Sequence, residues 1–483
     1  MNIELNIERK VAVRKIIYGF SVSLFMLVFI FNTIGYSEDV KYTDDEEQVK
    51  AVYQIKDMMD TILENYVGGQ VTRDELVQGA LEGMFSKLDN YSEYYTLDEY
   101  KDFVESVSGE FVGIGIKVEK KDDGYISVVN VLSKTPAEEG GMLPGDVIVK
   151  VDGVDIGKMT LDEALVKIKG IEGTKVKLTI KRGVDTLDKV ITRDKIQINA
   201  VQVKRINELF LDASDREIKR MRYISISEFN SSVYSEFRKE IEEMKDKHVK
   251  GIIIDLRNNP GGYLDQVISI CKLIIPEGPI VHTIDKNGNK ITYTSELKTP
   301  PFSIVVLVNE NTASASEILT GAVKDSEVGI IVGEKTFGKG VVQKIFRDVY
   351  GNYFKLTVEE YLTRNGTSIN KIGIQPDIVV ETPDFLSGIS SKYKLDDRSD
   401  EVKQIKKILS FLGYQIKNLD DYYEQDTYDA ILKFQKDKGL FPYGVADYTT
   451  QNILNEALYN KLKAEDRQLD VGYEILKKKV FGE

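Results

Sequence analysis

Between residues 311 and 343 the chain reads NTASASEILTGAVKDSEVGIIVGEKTFGKGVVQ. Ser314 and Ser316 stand ahead of an apolar helical run, a strand-like segment follows, and Lys339 comes next between two glycines. Cleaving an amide requires a nucleophile, a base for its proton and donors for the developing oxyanion. Ser314 can supply the first and Lys339 the second, but the same residues also suit a helix cap followed by a turn. The chain holds two histidines: His248, in MKDKHVKG at a helix end, and His282, in the strand-like PIVHTID. Both read as structural. Neither H-E-x-x-H nor G-x-S-x-G occurs, so zinc peptidases and α/β-hydrolases lose their usual residues. A lysine base must be neutral, which requires its pKa to fall from about 10.4 through desolvation or nearby positive charge. Gly338 and Gly340 allow close backbone approach around Lys339, and Val341-Val342 can exclude water. The S-x-x-K spacing of other serine–lysine enzymes recurs at Ser269/Lys272 and Ser391/Lys394, so spacing alone selects nothing.

The segments that must position these residues alternate strand and helix. RYISISEF, KGIIIDLR, PPFSIVVLVNE and VGIIVGE are continuous apolar runs of strand length, separated by helical patterns such as SSVYSEFRKEIEEMKDK and GYLDQVISICKLII. Runs buried on both faces imply an α/β core over 186–385. Upstream, 48–98 carries two amphipathic helical patterns, the second capped by Thr72. Downstream, a polar linker (386–398) leads to three short helices (399–462) and a final helix (463–483).

The chain has 483 residues and a formal net charge of −13, which argues for several domains and against nucleic acid as a partner. Its one cysteine, Cys271, lies in an apolar run and excludes an intrachain disulfide framework. Arg9, Lys10, Arg14 and Lys15 precede the charge-free run Ile16–Ser37, and an acidic stretch follows. A run of that length suits a single-pass membrane anchor with the N-terminus in the cytoplasm and the rest of the chain outside. A removable signal peptide is the alternative.

Residues 99–185 turn to glycine and valine. Val112-Gly113-Ile114-Gly115-Ile116 resembles the carboxylate-binding loop of a PDZ domain, and GGMLPGDVIVKVDG resembles the PDZ signature of secreted proteases. The resemblance implies a module that takes a free apolar C-terminus as an added strand. Leu412-Gly413-Tyr414, Phe434-Gln435 and Gly439-Leu440 resemble the pattern of peptidoglycan-binding helical modules, making the cell wall a candidate partner.

SASEILTGA, GEKTFGKGVVQ, IIIDLRNNPGG, GIQPDI and the upstream LEGMFSKLDNYSEYY resemble, over about 50–385, the S41 family of C-terminal processing peptidases. DRQL near the C-terminus is similar to a tail motif of that family, here interrupted by the helical module. The resemblance implies a multidomain α/β fold: an S41-type serine-protease core, an inserted PDZ domain, N-terminal helices and a small C-terminal helical module. It implies Ser314 as nucleophile, Lys339 as general base and Gln343 as the third catalytic residue. Ala315, at a helix start, offers one oxyanion donor, and Gly261 or Gly262 the second. Lys169 stands where the family often has an arginine that links PDZ occupancy to activation, and Arg364 where it usually has proline. The expected protein is a bacterial envelope endopeptidase, anchored in the membrane and needing no metal or other cofactor. Homodimerisation through terminal helices is expected as well. The rival reading is a catalytically silent or partner-gated scaffold that binds C-termini and cell wall.

Overall fold

The structure, a computed structural model, describes residues 35–36, 46–121, 124–387 and 389–482. The anchor run therefore lies outside the described residues, apart from Gly35–Tyr36. Among the described residues no helix is long and apolar enough to cross a membrane.

The core is a sheet in the order 201–205, 221–226, 251–255, 303–308, 329–333, 378–379, parallel except for its first pair. Its central strands are buried from Gly251 to Asp255 and from Ile304 to Val308, as their apolar runs require. Alternate residues serve opposite faces. Ile252, Ile254, Ile304 and Val306 pack against the helices Val233–Asp246, Leu264–Ile274 and Ala315–Asp325. Ile253, Val305, Leu307 and Val332 face the other way and receive Leu469, Tyr473 and Leu476 of the helix Arg467–Phe481. Gly472 lets this helix approach: a Cβ there would stand 2.9 Å from Leu307 Cδ2.

The expected core of 186–385 is thus incomplete without 467–481. The last helix is not a separate C-terminal element but the second cover of the sheet. The small module, inserted before it, consists of Asp400–Phe411, Gln425–Asp437 and Tyr448–Ala464 around Ile405, Ile408, Ile431, Phe434 and Leu458. Its Gln435 is buried and donates to Val445 O and Thr450 Oγ1 while accepting from Tyr443 N and Gly444 N. That glutamine therefore holds the module's own loop.

A second sheet joins Gly278–Asp285, Lys290–Ser295, Val341–Arg347 and Tyr353–Thr363 in antiparallel fashion, and Glu93–Tyr95 adds to Tyr353–Thr363. Lys339 lies in the loop that passes from Gly329–Gly333 of the first sheet to Val341–Arg347 of the second.

The buried core of the PDZ unit runs from Ile114 to Ile191. Helix Leu97–Ser108 stays with the core, where Tyr100 stacks on Tyr353 at 3.7 Å between ring centroids. At the other end Asp185–Thr192, a mostly polar strand, completes the PDZ sheet on Lys175–Arg182. A two-strand ribbon, Glu110–Gly113 against Asp194–Gln197, joins the unit to the core.

Candidate active site

Ser314 caps the helix Ala315–Asp325 with φ of 56° and ψ of −117°, a positive-φ backbone outside the ordinary regions that a non-glycine residue keeps only where its surroundings impose it. The surroundings are identifiable. Glu317 Oε2 accepts from Ser314 N at 2.9 Å, and Tyr361 Oη donates to Ser314 O at 3.0 Å. Ala313 N donates to Asn259 O at 3.0 Å, which ties the turn to the loop carrying Gly261 and Gly262. A Cβ at Gly261 would meet Ser314 Cβ at 2.8 Å and Ala315 N at 2.9 Å, so only glycine fits beside the serine. Ser316 Oγ donates to Asn259 O and Thr312 Oγ1 to Leu256 O, so both hydroxyls hold the loops together.

Two backbone donors stand open next to Ser314. Among the described residues the N–H groups of Ala315 and Gly262 have no acceptor. Gly261, offered by the sequence as an equal choice, is corrected here: its N–H is donated to Asn259 Oδ1 at 2.9 Å and is not free for an oxyanion.

Glu317 is fully buried and unites the two halves of the site. Besides Ser314 N it accepts from Lys339 N and Gly338 N, both at 2.8 Å, and from Thr336 Oγ1 at 2.6 Å. Burial raises its pKa, while the bonds from Thr336, Ser314, Gly338 and Lys339 oppose the rise. The sequence reading did not single out Glu317. Its signal was the S-x-x-E spacing of a capping box, but the grip on Lys339's loop is tertiary.

Lys339 is half-buried, and its pKa is lowered, first by desolvation and then by Lys355, against the opposing charges of Asp89 and Glu317. Its amine lies 4.8 Å from the centroid of the Tyr91 ring. It shares no hydrogen bond with Ser314 Oγ or Gln343. Gln343 Nε2 instead donates to Thr357 Oγ1 at 3.4 Å, and Thr357 Oγ1 donates to Asp89 Oδ1 at 3.2 Å. The structure therefore brings the loops of Ser314 and Lys339 together through Glu317, with no hydrogen bond among the side chains of the three residues. Apo geometry of this kind is common in enzymes whose hydrogen bonds tighten on substrate.

His282 bonds Thr292 Oγ1 and the Arg364 carbonyl, a structural position in the second sheet. Arg364 itself, which stands where proline was expected, donates to the carbonyls of Pro276, Glu277 and Pro279 and pins the adjoining hairpin.

In the PDZ unit, Val112 and Gly113 belong to the connecting ribbon, where they pair with Lys195 and Asp194. Ile114 is buried in the PDZ core, and Gly115, at φ of 87°, turns the chain where a Cβ would strike Thr135. Among the described residues the N–H groups of Ile114 and Gly115 have no acceptor. Ile116 then opens Ile116–Lys120, which pairs on one side with Ile126–Val131 and leaves its other edge open. Free amides at the head of an open strand edge are what a chain-terminal carboxylate and its strand require. Lys169, at the end of the PDZ helix Leu161–Ile168, pairs with Glu105 of the core at 2.9 Å. Arg193, not foreseen, donates to Lys167 O and Ile168 O and ties down the end of that helix.

The sequence model of peptidase family S41 matches residues 220–380, that of the PDZ domain 103–181, and that of a family described as peptidoglycan binding 398–454. The carboxy-terminal processing protease CtpA of Bacillus subtilis (strain 168) is 37% identical over 417 residues, covering 84% of this chain and 86% of that protein. A probable CtpA-like serine protease of Staphylococcus haemolyticus is 34% identical over 450 residues, covering 91% and 87%. Among solved structures, a photosystem II D1 C-terminal processing protease aligns with 25% identity and a TM-score of 0.42 over 70% of this chain and 95% of that one.

Proposed function

This chain belongs to peptidase family S41 and is a serine-type C-terminal processing protease, and on that premise we propose that it is a membrane-anchored endopeptidase working through Ser314 and Lys339. The observation that carries this reading is the Glu317 carboxylate, which holds the backbone of both residues at once. In the proposed reaction Ser314 Oγ attacks the scissile carbonyl carbon as its proton passes to the neutral Lys339 amine. The oxyanion takes the N–H groups of Ala315 and Gly262, and Lys339 then protonates the leaving amine. Water attacks the acyl-enzyme with Lys339 again as base, which restores the serine. Gln343 orients the amine without adding a charge. The PDZ unit takes the substrate's free apolar C-terminus along the edge of Ile116–Lys120, and Lys169 communicates that occupancy to the core through Glu105.

The run Ile16–Ser37 supports a single span that places the protease outside the cytoplasm, and the helical module supports substrates near the cell wall. Val52, Tyr53 and Met58 are exposed on the helix Glu46–Asn65 and suit a homodimer. The test uses full-length protein in detergent with an unstructured protein substrate ending in apolar residues. Ser314→Ala and Lys339→Ala are expected to lose at least 10³-fold in kcat/KM, and amidation of the substrate's C-terminus to slow cleavage by the parent. Equal cleavage by all three forms would refute the assignment. A parent protein that binds the C-terminus but never cleaves would favour the scaffold.

A further inference from the structure

The turn Asp89–Ser92 comes from the segment ahead of the PDZ unit, yet it is fastened beside the base. Asp89 Oδ1 accepts from Tyr91 N at 2.8 Å, Ser92 N at 3.0 Å and Thr357 Oγ1 at 3.2 Å, and Thr357 N donates to Ser92 Oγ at 3.0 Å. These bonds fix the backbone from which the half-buried Tyr91 ring meets the Lys339 amine. The same segment seats a second lysine: Lys355 lies 5.3 Å from the Tyr95 ring and 4.9 Å from the Phe103 ring, and its amine also pairs with Glu93. Lys355 is thereby held where its charge acts on Lys339. The ionisable groups facing the Lys339 amine are Asp89, Glu317, Lys355 and Tyr91 itself.

We propose that Tyr91 is a positioning residue for the general base: the face of its ring seats the Lys339 ammonium, and the neutral amine leaves that seat to work. This rests on the reading of Lys339 as base. The negative face of an aromatic ring attracts the ammonium and has no such hold on the amine. The seat therefore favours the protonated, idle form, and desolvation and Lys355 favour the neutral, working form. Removing the ring face must lower the pH at which Lys339 becomes available.

The experiment measures kcat/KM against pH for the full-length parent, Tyr91→Leu and Tyr91→Phe with the same unstructured substrate. The expected result is an acid limb about one unit lower in Tyr91→Leu, with Tyr91→Phe keeping the parent's midpoint to within about 0.3 unit. In parallel, competitive acetylation of Ser314→Ala protein, with and without the Tyr91 changes, reads the titration of Lys339 by mass spectrometry without any need for activity. Its midpoint should fall by the same amount. If Tyr91→Leu fails to fold, Tyr91→pentafluorophenylalanine keeps the ring's shape while removing its negative face, and should move the midpoint downward too. Midpoints that coincide with the parent's would overturn the proposal and leave Tyr91 a packing residue. Undiminished cleavage by Lys339→Ala would instead sink the serine–lysine reading, and the acetylation midpoint would still decide whether the ring holds the amine.

Discussion

The PDZ unit and the helical module both interrupt the protease core, and they are attached in opposite ways. The PDZ unit hangs on the ribbon of Glu110–Gly113 and Asp194–Gln197, assisted by the exposed Lys169–Glu105 pair. The module is followed at once by Asp466, whose carboxylate receives both terminal nitrogens of Arg257 at 2.7 Å, and then by the helix that covers the sheet. Arg257 also bonds Asp255, to which Tyr223 Oη donates at 2.8 Å. Among the described residues the PDZ sheet shares no strand with the core sheet, and the ribbon joins the two. A module spliced in beside Arg257 cannot move far without pulling on the loop that carries Gly261 and Gly262. A cavity of about 650 Å³ lies at this joint, lined by Asp255, Arg257, Glu310, Phe385 and Asp466 among others.

The sharpest way to break this contrast is deletion. Ending the chain at Ala464 strips the sheet of Leu469, Tyr473 and Leu476, each worth about 2 kcal/mol of burial, a sum comparable to the whole stability of a domain. The shortened protein should lose its cooperative unfolding transition in circular dichroism. Replacing 114–193 by a short glycine–serine link, which keeps the ribbon of Glu110–Gly113 and Asp194–Gln197, should leave that transition in place. Equal damage from both deletions would erase the distinction.

Next in size is Arg257→Ala, which leaves Asp255 and Asp466 as neighbouring carboxylates without their cation. Denaturant titration should register a loss of about 3 kcal/mol. Acid should act on the same joint. Burial tends to raise the pKa of Asp466, but the hydrogen bonds and charge of Arg257 outweigh it and hold the carboxyl below its ordinary value. Glu217, beside Lys477 of the closing helix, is likewise raised by burial but brought down to about 2 by bonds from Ser214 and Lys477. A depressed folded-state value stabilises above the unfolded value and loses that contribution as pH falls through the folded one. Core stability should therefore decline from about pH 4 toward pH 2, with the decline from Asp466 absent in Asp466→Asn.

The smallest effect belongs to the PDZ side. Lys169→Ala should change the free energy of unfolding, read by denaturant titration, by less than about 0.5 kcal/mol, because an exposed pair contributes little. A larger loss would mean that the PDZ unit is braced rather than hinged.

The strands of the core were readable because burial on both faces demands unbroken apolar runs, as in GIIID and SIVVLV. The last helix was readable as a helix and not as a layer of the core, since its partner Arg257 is 209 residues from Asp466 in sequence. The seat of Leu97–Ser108 on the core was not readable, because Tyr100 and Phe103 meet Tyr353 and Tyr95 through contacts that no local pattern reveals. Ser314 and Lys339 stood out through the resemblance, as residue types alone left a cap and a turn equally open. Glu317 and Tyr91 act through contacts between distant segments, so their places followed only from the folded chain.

The open edge of Ile116–Lys120 has a consequence for the protein's solubility. An unpaired strand that can receive a guest segment can also pair with the same strand of another copy, which is how sheet proteins aggregate. Lys117, Glu119 and Lys120 are exposed along this strand of five residues. Their charges, and the shortness of the strand, disfavour stacking of copies edge to edge while a single extended chain can still be admitted. Replacing all three with valine or threonine would preserve strand propensity and turn this edge into a nucleus for precipitation.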